Sequence, residues 1–401
     1  MANRRRHRQA KLPAGPLPST IGALFPLGYT TAMRIAIDAR LNYYRPGGIV
    51  EYTRHLIREL TALDAANDYR LIQHVRDRET LVAAPNVARI NTLTPSHHRL
   101  ERWALSVELL PRRLDILHSP DAIPPARAAR RQVITIHDLH YLHYPQFMTT
   151  DSRRYYAGQI GWAVQRADHL LASSQATRAD LVTLLGVPED KITVHLLGVD
   201  ALFRPAPPET IQACRARWGL PAQYLLFVGT FEPRKNIPTL LHAYDRLRRD
   251  LPAAPPLALA GRRGWLYDDI QRTVETLALG DRVIWVENPP RDDLPALYSG
   301  AAALALPSHY EGFGLTALEA MACGTPPVVS DCSSLPEVVG DAGLLVNPDD
   351  AGSIADALRR LLTDSALHDT LRAAGLARAR TFTWRRTAEI AREVYARVMA
   401  D

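Results

Sequence analysis

The chain alternates short apolar runs with longer amphipathic segments, and this alternation restricts its fold more than any other feature. The runs RIAID, YRLIQHV, DILHS, QVITIHDL and HLLASS are separated by segments such as IVEYTRHLIRELTAL. The apolar residues of that segment fall on one helical face: Ile49, Tyr52, Leu56, Leu60 and Leu63. Strands that alternate with helices indicate β/α units and a parallel sheet.

The same rhythm restarts after a polar, proline-bearing stretch at residues 203–209. Six more strand candidates follow it: YLLFVGT, LALAG, RVIWV, ALALPS, PPVVSD and GLLVN. A chain of 401 residues also exceeds what one hydrophobic core usually supports. We therefore predict an α/β protein of two doubly wound, Rossmann-like domains, residues 33–203 and 204–381, and a final helix over residues 382–401.

The positive charge of the chain lies mainly in its first 32 residues. Of the net charge of +6, five charges come from a segment without acids: Arg4, Arg5, Arg6, Arg8 and Lys11. The remainder is nearly neutral, which gives little support for a nucleic-acid-binding surface. We predict that residues 1–32 form a disordered basic extension, because their apolar stretch is too interrupted for a signal peptide. Such an extension can touch anionic lipid.

The sparse cysteines favour a reducing compartment, and the hydropathy predicts no membrane span. Cys214, Cys323 and Cys332 form neither a paired framework nor a C-x-x-C motif. No apolar run approaches the roughly 18 residues of a membrane span. We expect a cytoplasmic protein, with peripheral contact at the cytoplasmic membrane face left open.

The segment VGTFEPRKNIPTLLHAY has the order strand, loop and helix, with a helix beginning near Ile237 or Pro238. Its loop carries Arg234 and Lys235 directly after a strand that ends at Gly229. Ligands of open α/β sheets bind at this edge, and two adjacent cations can neutralise a diphosphate. A solvated pair of charges in a turn is the alternative.

The segment SHYEGFGLTALEAMACGTPPVVS places two carboxylates around a glycine-rich loop. Glu311 precedes Gly312 and Gly314, and Glu319 lies one turn into a helix that starts near Leu315. Free backbone N–H groups and a helix N-terminus make an anion site. The carboxylates can accept hydrogen bonds from sugar hydroxyls. Solvated acids or a hydrolase acid/base pair are the alternatives, although Glu319 is deep in a helix for the latter.

Two further motifs follow strands in the first predicted domain. Gly47 and Gly48 form a possible anion loop before the helix that begins at Ile49, and His137 and Asp138 end the run ITIHD. Neither a dinucleotide fingerprint nor a phosphate-binding P-loop occurs with its strand and helix. The spacing of Asp138 from two later histidines, His140 and His143, matches no zinc signature, so we expect no metal.

Together these segments resemble family 4 of the retaining glycosyltransferases, from about Met33 to Ala400. The matching motifs are the glycine pair, the HD dipeptide, SSQATRADL, GTFEPRKN, the two glutamates of E-x7-E, and EVVGDAGLLVNP. The resemblance implies a GT-B fold, in which the second domain holds the donor and the first holds the acceptor. It also implies that the final helix crosses back to the first domain.

The resemblance assigns a role to each matched residue. It implies that Arg234 and Lys235 bind the donor diphosphate, Glu319 the ribose and Glu311 the transferred hexose, with His137 beside the sugar ring. The catalytic set is then His137, Arg234, Lys235 and Glu311. The donor-binding set shares Arg234, Lys235 and Glu311 with the catalytic set. Its other members are the residue expected to bind the ribose and the residues of the glycine-bearing loops: Gly47, Gly48, Gly229, Gly312, Phe313, Gly314, Leu315 and Glu319.

The predicted activity is metal-independent, retaining transfer of a hexose from a nucleotide-diphosphate sugar, with no other cofactor. GTFEPRKN and TIHDL look most like mannosyltransferase members, which favours GDP-mannose as donor and a glycan or lipid-linked saccharide as acceptor. The sequence departs from the family in reading ENPPRDDL where a glycine is frequent, and Thr316 where proline is frequent. A UDP-sugar-dependent glucosyl- or N-acetylglucosaminyltransferase, a GT-B epimerase or phosphorylase, and a non-catalytic sugar-nucleotide-binding scaffold are the alternatives.

Overall fold

The computed structural model describes residues 32–44, 47–148, 150–264 and 267–400, without the side chains of residues 150–152. The predicted basic extension, residues 1–32, lies outside the described residues except for Ala32, as does the last residue of the predicted final helix, Asp401.

The first domain is built on a parallel sheet of seven strands in the order β3-β2-β1-β4-β5-β6-β7. Its strands are β1 (Arg34–Asp38), β2 (Asp68–His74), β3 (Val87–Thr92), β4 (Leu114–Ser119), β5 (Ala129–Ile136), β6 (His169–Ala172) and β7 (Ile192–Val194). Its helices are α1 (Leu41–Tyr44), α2 (Gly48–Leu63), α3 (Glu101–Leu109), α4 (His140–His143), α5 (Thr150–Ala157), α6 (Ile160–Arg166) and α7 (Gln175–Leu185).

The second domain is built on a parallel sheet of six strands in the order β10-β9-β8-β11-β12-β13. Its strands are β8 (Leu225–Val228), β9 (Leu257–Gly261), β10 (Val283–Glu287), β11 (Ala303–Leu306), β12 (Pro327–Ser330) and β13 (Leu344–Val346). The helices from here on are α8 (Pro208–Trp218), α9 (Ile237–Asp250), α10 (Asp268–Thr276), α11 (Leu294–Ser299), α12 (Leu315–Ala322), α13 (Leu335–Val339), α14 (Ala351–Thr363), α15 (Ser365–Ala379) and α16 (Trp384–Ala400).

The burial of the strands is typical of parallel sheets that lie at the centre of a domain. Every residue of β8, β11 and β12 is buried, so these strands read as continuous apolar runs with helices on both faces. Helix α2 buries Tyr52, Leu56 and Leu60 along one stripe, as its period predicts. The predicted α/β class with two Rossmann-like domains is therefore confirmed.

Helix α16 packs on the first domain although it follows the second in sequence. The Tyr395 hydroxyl forms a 2.6 Å hydrogen bond with Nδ1 of His118, at the end of β4. Thr387 donates from Oγ1 to the carbonyl of Leu196 at 2.7 Å. Val394 and Val398 are among its buried residues, while Arg385 and Arg386 are exposed. The boundaries of the two domains near residues 203 and 381 stay a prediction.

The predicted strands agree with the structure except at two strands of the first sheet that the sequence did not predict. All six strand candidates of the second domain form β8–β13, but β3 and β7 have no counterpart among the predicted runs. Strand β3 lies at the sheet edge with an exposed or half-buried face, and β7 has three residues, so neither carries a long apolar run. Within the described part of the chain, no helix combines the length and apolarity needed to cross a bilayer.

Candidate functional site

A cleft of about 530 Å³ lies where the carboxyl ends of strands from both sheets face each other. This is the edge at which open α/β sheets bind ligands. Loops of the two domains are also hydrogen-bonded to each other. Ser173 donates from Oγ to the carbonyl of Gly312 at 3.3 Å, and the Glu337 carboxylate accepts from the backbone N–H of Gln175 at 3.0 Å.

Two adjacent cations meet a carboxylate on the second-domain wall of the cleft. The chain leaves β8 through Gly229 and turns at Pro233–Lys235, which brings Arg234 and Lys235 over the loop after β11. Lys235 Nζ lies 2.6 Å from Oε1 of Glu311, and Arg234 Nη1 lies 2.8 Å from Oε2. The turn requires Asn236 in the left-handed region, with φ of 56°, and its side chain donates to two carbonyls.

The charge state of this cluster follows from its contacts. Burial raises the pKa of Glu311, but Lys235 and Arg234 outweigh burial and lower that pKa to about 2. Glu311 also accepts from Ser308 Oγ at 2.7 Å. Glu232 also pairs with Arg234 at 2.7 Å, so two cations and two carboxylates leave the cluster without net charge. An anion can bind to Arg234 and Lys235 here where it takes over part of the role of Glu311.

The glycine-rich loop leads into α12, as its sequence predicts. Gly314 precedes the helix with a φ of 101°, a conformation that favours glycine, and Leu315 is the first helical residue. Phe313 is buried and its ring lies 5.9 Å from that of Phe382. The backbone of this loop lines the cleft together with Gly312.

Glu319 faces the same cleft from the second turn of α12. Its Oε2 accepts a 2.8 Å hydrogen bond from the hydroxyl of Tyr298. Burial raises the pKa of Glu319 to about 7, although Tyr298 and Arg291 act in the opposite direction. A carboxyl that ionises near neutral pH and lines a cleft is a candidate ligand-binding group.

His137 lies on the first-domain wall directly after β5. Its Nε2–H donates to the carbonyl of Pro120 at 3.0 Å, and its ring packs edge-on against Tyr52 with centroids 4.7 Å apart. Burial lowers the pKa of His137, while Asp121 and Asp138 partly offset this effect. The imidazole is therefore neutral at pH 7, with Nδ1 as its free acceptor.

The glycine pair approaches the start of α12 across the cleft. Gly48 begins α2, and a Cβ placed on it would lie 3.7 Å from Cδ1 of Leu315. Gly47 is extended, with φ of 159°. The predicted site residues all line the cleft except Gly229. Gly229 lies behind Lys235, since a Cβ built on this glycine would be 3.4 Å from Cε of Lys235.

The histidines considered for zinc do not converge. His140 pairs with Asp138 at 2.5 Å, whereas His143 pairs with Asp180 at 2.9 Å. Among the described residues, one group has metal-ligand geometry, and it is formed by Glu51, His55 and Asp200.

That group already has a cation beside it. Arg291 Nη2 lies 2.8 Å from Oδ2 of Asp200 and 3.2 Å from Oε2 of Glu51. His55 Nε2 lies 3.0 Å from the same Asp200 oxygen, and its ring stacks on Trp384 at 4.8 Å. These five residues line the cleft, and sequence reasoning missed them. The one available signal was the spacing of Glu51 and His55, one helical turn apart after the glycine pair.

Comparison with known proteins agrees with this architecture. The family described as "Glycosyl transferases group 1" matches residues 215–378, and "Glycosyltransferase Family 4" matches residues 46–201. The O-antigen chain mannosyltransferase B of Escherichia coli is 35% identical over 324 residues, which cover 80% of this chain and 81% of that protein. The chain is a family 4 glycosyltransferase.

Two other similarities place this glycosyltransferase among its relatives. The serotype-specific mannosyltransferase WbdA of Escherichia coli is 32% identical over 69% of this chain, but the match spans 35% of that longer protein. Sucrose-phosphate synthase from Thermosynechococcus elongatus has a TM-score of 0.70 at 25% identity, covering 92% of this glycosyltransferase and 99% of that chain. The expected GT-B fold is confirmed.

Proposed function

We propose that this glycosyltransferase transfers mannose from GDP-mannose to a glycan or lipid-linked saccharide, with retention of configuration and without a divalent metal. The observation that carries the proposal is the cluster of Arg234, Lys235 and Glu311 in a cleft of a chain that resembles mannosyltransferases over most of its length. A cleft of about 530 Å³ is in the range of small-molecule sites.

The donor diphosphate would lie between the cationic pair and the N-terminus of α12. Arg234 and Lys235 supply fixed positive charge, and the backbone after Gly312 supplies N–H donors. Because the diphosphate competes with Glu311 for these cations, donor binding frees the Glu311 carboxylate to accept from the hexose hydroxyls. Glu319 then accepts from the ribose.

In the proposed reaction, the bond between the anomeric carbon and the phosphate oxygen breaks while the acceptor oxygen bonds to the same face. The departing phosphate oxygen takes the acceptor's proton, so the products are a nucleoside diphosphate and a glycoside. Negative charge grows on the diphosphate, where Arg234 and Lys235 stabilise it. No protein nucleophile is needed.

His137 would position the sugar ring instead of acting as an acid. Its Nε2–H is committed to Pro120, and its lowered pKa keeps it neutral. Nδ1 is left to accept a hydrogen bond from a sugar hydroxyl.

The test compares four nucleotides, GDP, GDP-mannose, UDP and UDP-glucose, by thermal shift and by slow donor hydrolysis with EDTA present. We expect GDP and GDP-mannose to raise Tm, and both effects to vanish in Lys235→Ala and Glu319→Ala. A shift with UDP compounds alone would establish the UDP-sugar alternative. An unchanged Tm with every nucleotide and donor would contradict the proposal.

Metal independence and stereochemistry need separate measurements. Activity that disappears in EDTA and returns with a divalent ion would contradict metal independence, and Glu51, His55 and Asp200 would then be the ligands to substitute. The anomeric configuration of the first product, read by proton NMR, tests retention. The cytoplasmic location and any contact of residues 1–32 with lipid stay predictions.

A further inference from the structure

The outer face of α3 carries a stripe of apolar side chains. Leu100, Trp103, Val107 and Leu110 are 55%, 60%, 71% and 53% exposed. Trp103 and Val107 lie within α3, Leu100 directly precedes it and Leu110 directly follows it. Their spacing of three, four and three residues puts the four side chains on one side, opposite the buried Leu105. The stripe therefore points away from the core.

A fifth apolar residue widens this stripe. Leu93 is 73% exposed, and its backbone N–H donates to the carboxylate of Glu108 on α3 at 2.7 Å. Half of the ten large hydrophobic residues that are exposed in the described chain thus lie within residues 93–110. A contiguous apolar patch of this kind marks an interaction surface, unlike scattered surface leucines.

The charge around the stripe is positive. Arg99, Arg112 and Arg113 are exposed, and Arg102 is half-buried with its guanidinium 4.0 Å from the ring of Trp162. The two acids of the segment turn inward. Glu101 is 5% exposed and pairs with Arg40, and Glu108 accepts from the backbone at Leu93 and Thr94.

We propose that this surface docks on an anionic lipid bilayer. We call it the α3 face, and it consists of the five apolar residues and the four arginines: Leu93, Leu100, Trp103, Val107, Leu110, Arg99, Arg102, Arg112 and Arg113. Leucine and valine enter the acyl boundary, Trp103 occupies the interface that tryptophan prefers, and the arginines reach the phosphates. A second copy fits less well, because it would bring two arginine-rich faces together.

The position of α3 determines which side of the protein would face the bilayer. Glu101 begins α3 and also accepts from Tyr155 at 2.8 Å, beside Arg40, which follows the carboxyl end of β1. The amino-terminal end of the α3 face therefore adjoins the edge of the first sheet that faces the cleft, whereas Arg112 and Arg113 directly precede β4 at the opposite edge. Docking would lay the α3 side of the first domain along the bilayer.

The test is co-flotation of the full chain with vesicles of mixed phosphatidylglycerol and phosphatidylcholine. We expect binding that weakens with salt and with removal of phosphatidylglycerol. The double variant Trp103→Ser/Val107→Ser should lower the partition coefficient roughly tenfold or more, because two exposed side chains lose their burial in lipid. Arg112→Gln/Arg113→Gln should lower it by a similar factor, about tenfold, through lost attraction to anionic lipid.

Matched variants elsewhere on the surface distinguish docking through the α3 face from nonspecific adsorption to vesicles. Leu184→Ser/Leu345→Ser removes two exposed apolar side chains, and Arg385→Gln/Arg386→Gln removes two exposed arginines from α16. We expect both controls to bind vesicles like the unaltered protein. All substituted positions are exposed, so circular dichroism and Tm should be unchanged.

Three results would overturn the proposal. One is no flotation with anionic vesicles. Another is flotation that survives both α3 variants, which would assign binding to residues 1–31 or another surface. The third is a dimer that the Trp103→Ser/Val107→Ser variant converts to a monomer in light scattering, which would assign the α3 face to a second copy. None of these readouts depends on the donor or on turnover.

Discussion

At the scale of single residues, the cationic pair shows how one side chain can have two roles. Lys235 is buried against Glu311 in the structure, where it holds the pKa of that carboxyl low. In the proposed complex the same ammonium faces the diphosphate. Because the ammonium contributes most when negative charge develops on the leaving group, its loss should affect turnover more than folding.

We therefore expect Lys235→Ala to lower kcat/KM for donor by about 10²- to 10³-fold, as removal of a preorganised charge-stabilising group does in other enzymes. Steady-state kinetics on GDP-mannose would measure it. Lys191→Ala is the matched control, since Lys191 Nζ donates to the Gln165 carbonyl in an exposed part of the first domain. Equal losses in both variants would show a folding effect.

A second residue-scale prediction concerns pH. Burial raises the folded-state pKa of Glu319 to about 7, above its ordinary value of 4.5. Between these values the folded state binds more protons than the unfolded state, so stability falls as pH rises. Relative to Glu319→Gln, the free energy of unfolding should fall by up to about 3 kcal/mol between pH 4.5 and 7. Urea unfolding across this range would measure it, and parallel pH profiles would contradict it.

The sequence predicted those site residues that belong to local motifs. Arg234, Lys235, Glu311 and Glu319 follow strands whose apolar runs are visible, and a parallel sheet brings such ends to one edge. The pairing of Lys235 with Glu311 was not predicted, since it depends on how two loops 76 residues apart approach each other.

At the scale of elements, the loops after β5 and β11 touch across the cleft. A Cβ on Gly312 would collide with the carbonyl oxygen of His137 and lie 2.7 Å from Cβ of Asp138. The glycine is thus needed for a close approach of the two domains, although its φ is ordinary. A side chain here must push the loop after β11 away from the first-domain wall.

Gly312→Ala should therefore reduce kcat/KM about tenfold or more, with a stability cost of roughly 1–3 kcal/mol. Kinetics and thermal unfolding would be compared in one preparation. Gly280→Ala is the control, because a Cβ there meets nothing within 4 Å. Unchanged activity in Gly312→Ala would show that the loops separate without consequence.

Helix α16 is held to the first domain by a buried polar contact. Tyr395 bonds Nδ1 of His118, whose Nε2 in turn contacts Thr135 Oγ1 at 2.7 Å. Tyr395→Phe keeps the ring and leaves one nitrogen of His118 without its partner, so we expect a loss of about 1–3 kcal/mol in the free energy of unfolding. Urea denaturation measures the loss, and no loss would indicate that another group replaces the hydroxyl.

At the scale of the whole molecule, Arg291 links the two domains. It follows β10 of the second domain and contacts Glu51 and Asp200, both on the first-domain side. No local pattern in ENPPRDDL predicts this contact, because Glu51 lies far away in sequence on α2. The two-domain organisation could be predicted because the alternation of strands and helices restarts. The contacts between the domains could not, because they form between residues that are distant in sequence and meet only in the folded protein.

We expect Arg291→Gln to open the cleft, because two carboxylates of the first domain lose the cation that ties them to the second. Small-angle X-ray scattering should show a larger radius of gyration, and KM for donor should rise by roughly fivefold, the effect of about 1 kcal/mol from a partly exposed ion pair. Arg385→Gln removes an exposed arginine within α16 and serves as control. An unchanged scattering curve would contradict this interpretation.

The return of α16 to the first domain has a consequence for biosynthesis. Strand β7 ends at Val194, and α16 begins at Trp384, so roughly 190 further residues must be translated before the helix that covers α2 and strands β5 and β6 leaves the ribosome. Until then, the nascent first domain presents uncovered surface around Tyr52, whose ring lies 6.3 Å from that of Trp384 in the folded protein. A premature stop codon anywhere before α16 would leave that surface open, and chaperones would be expected to engage the nascent chain there.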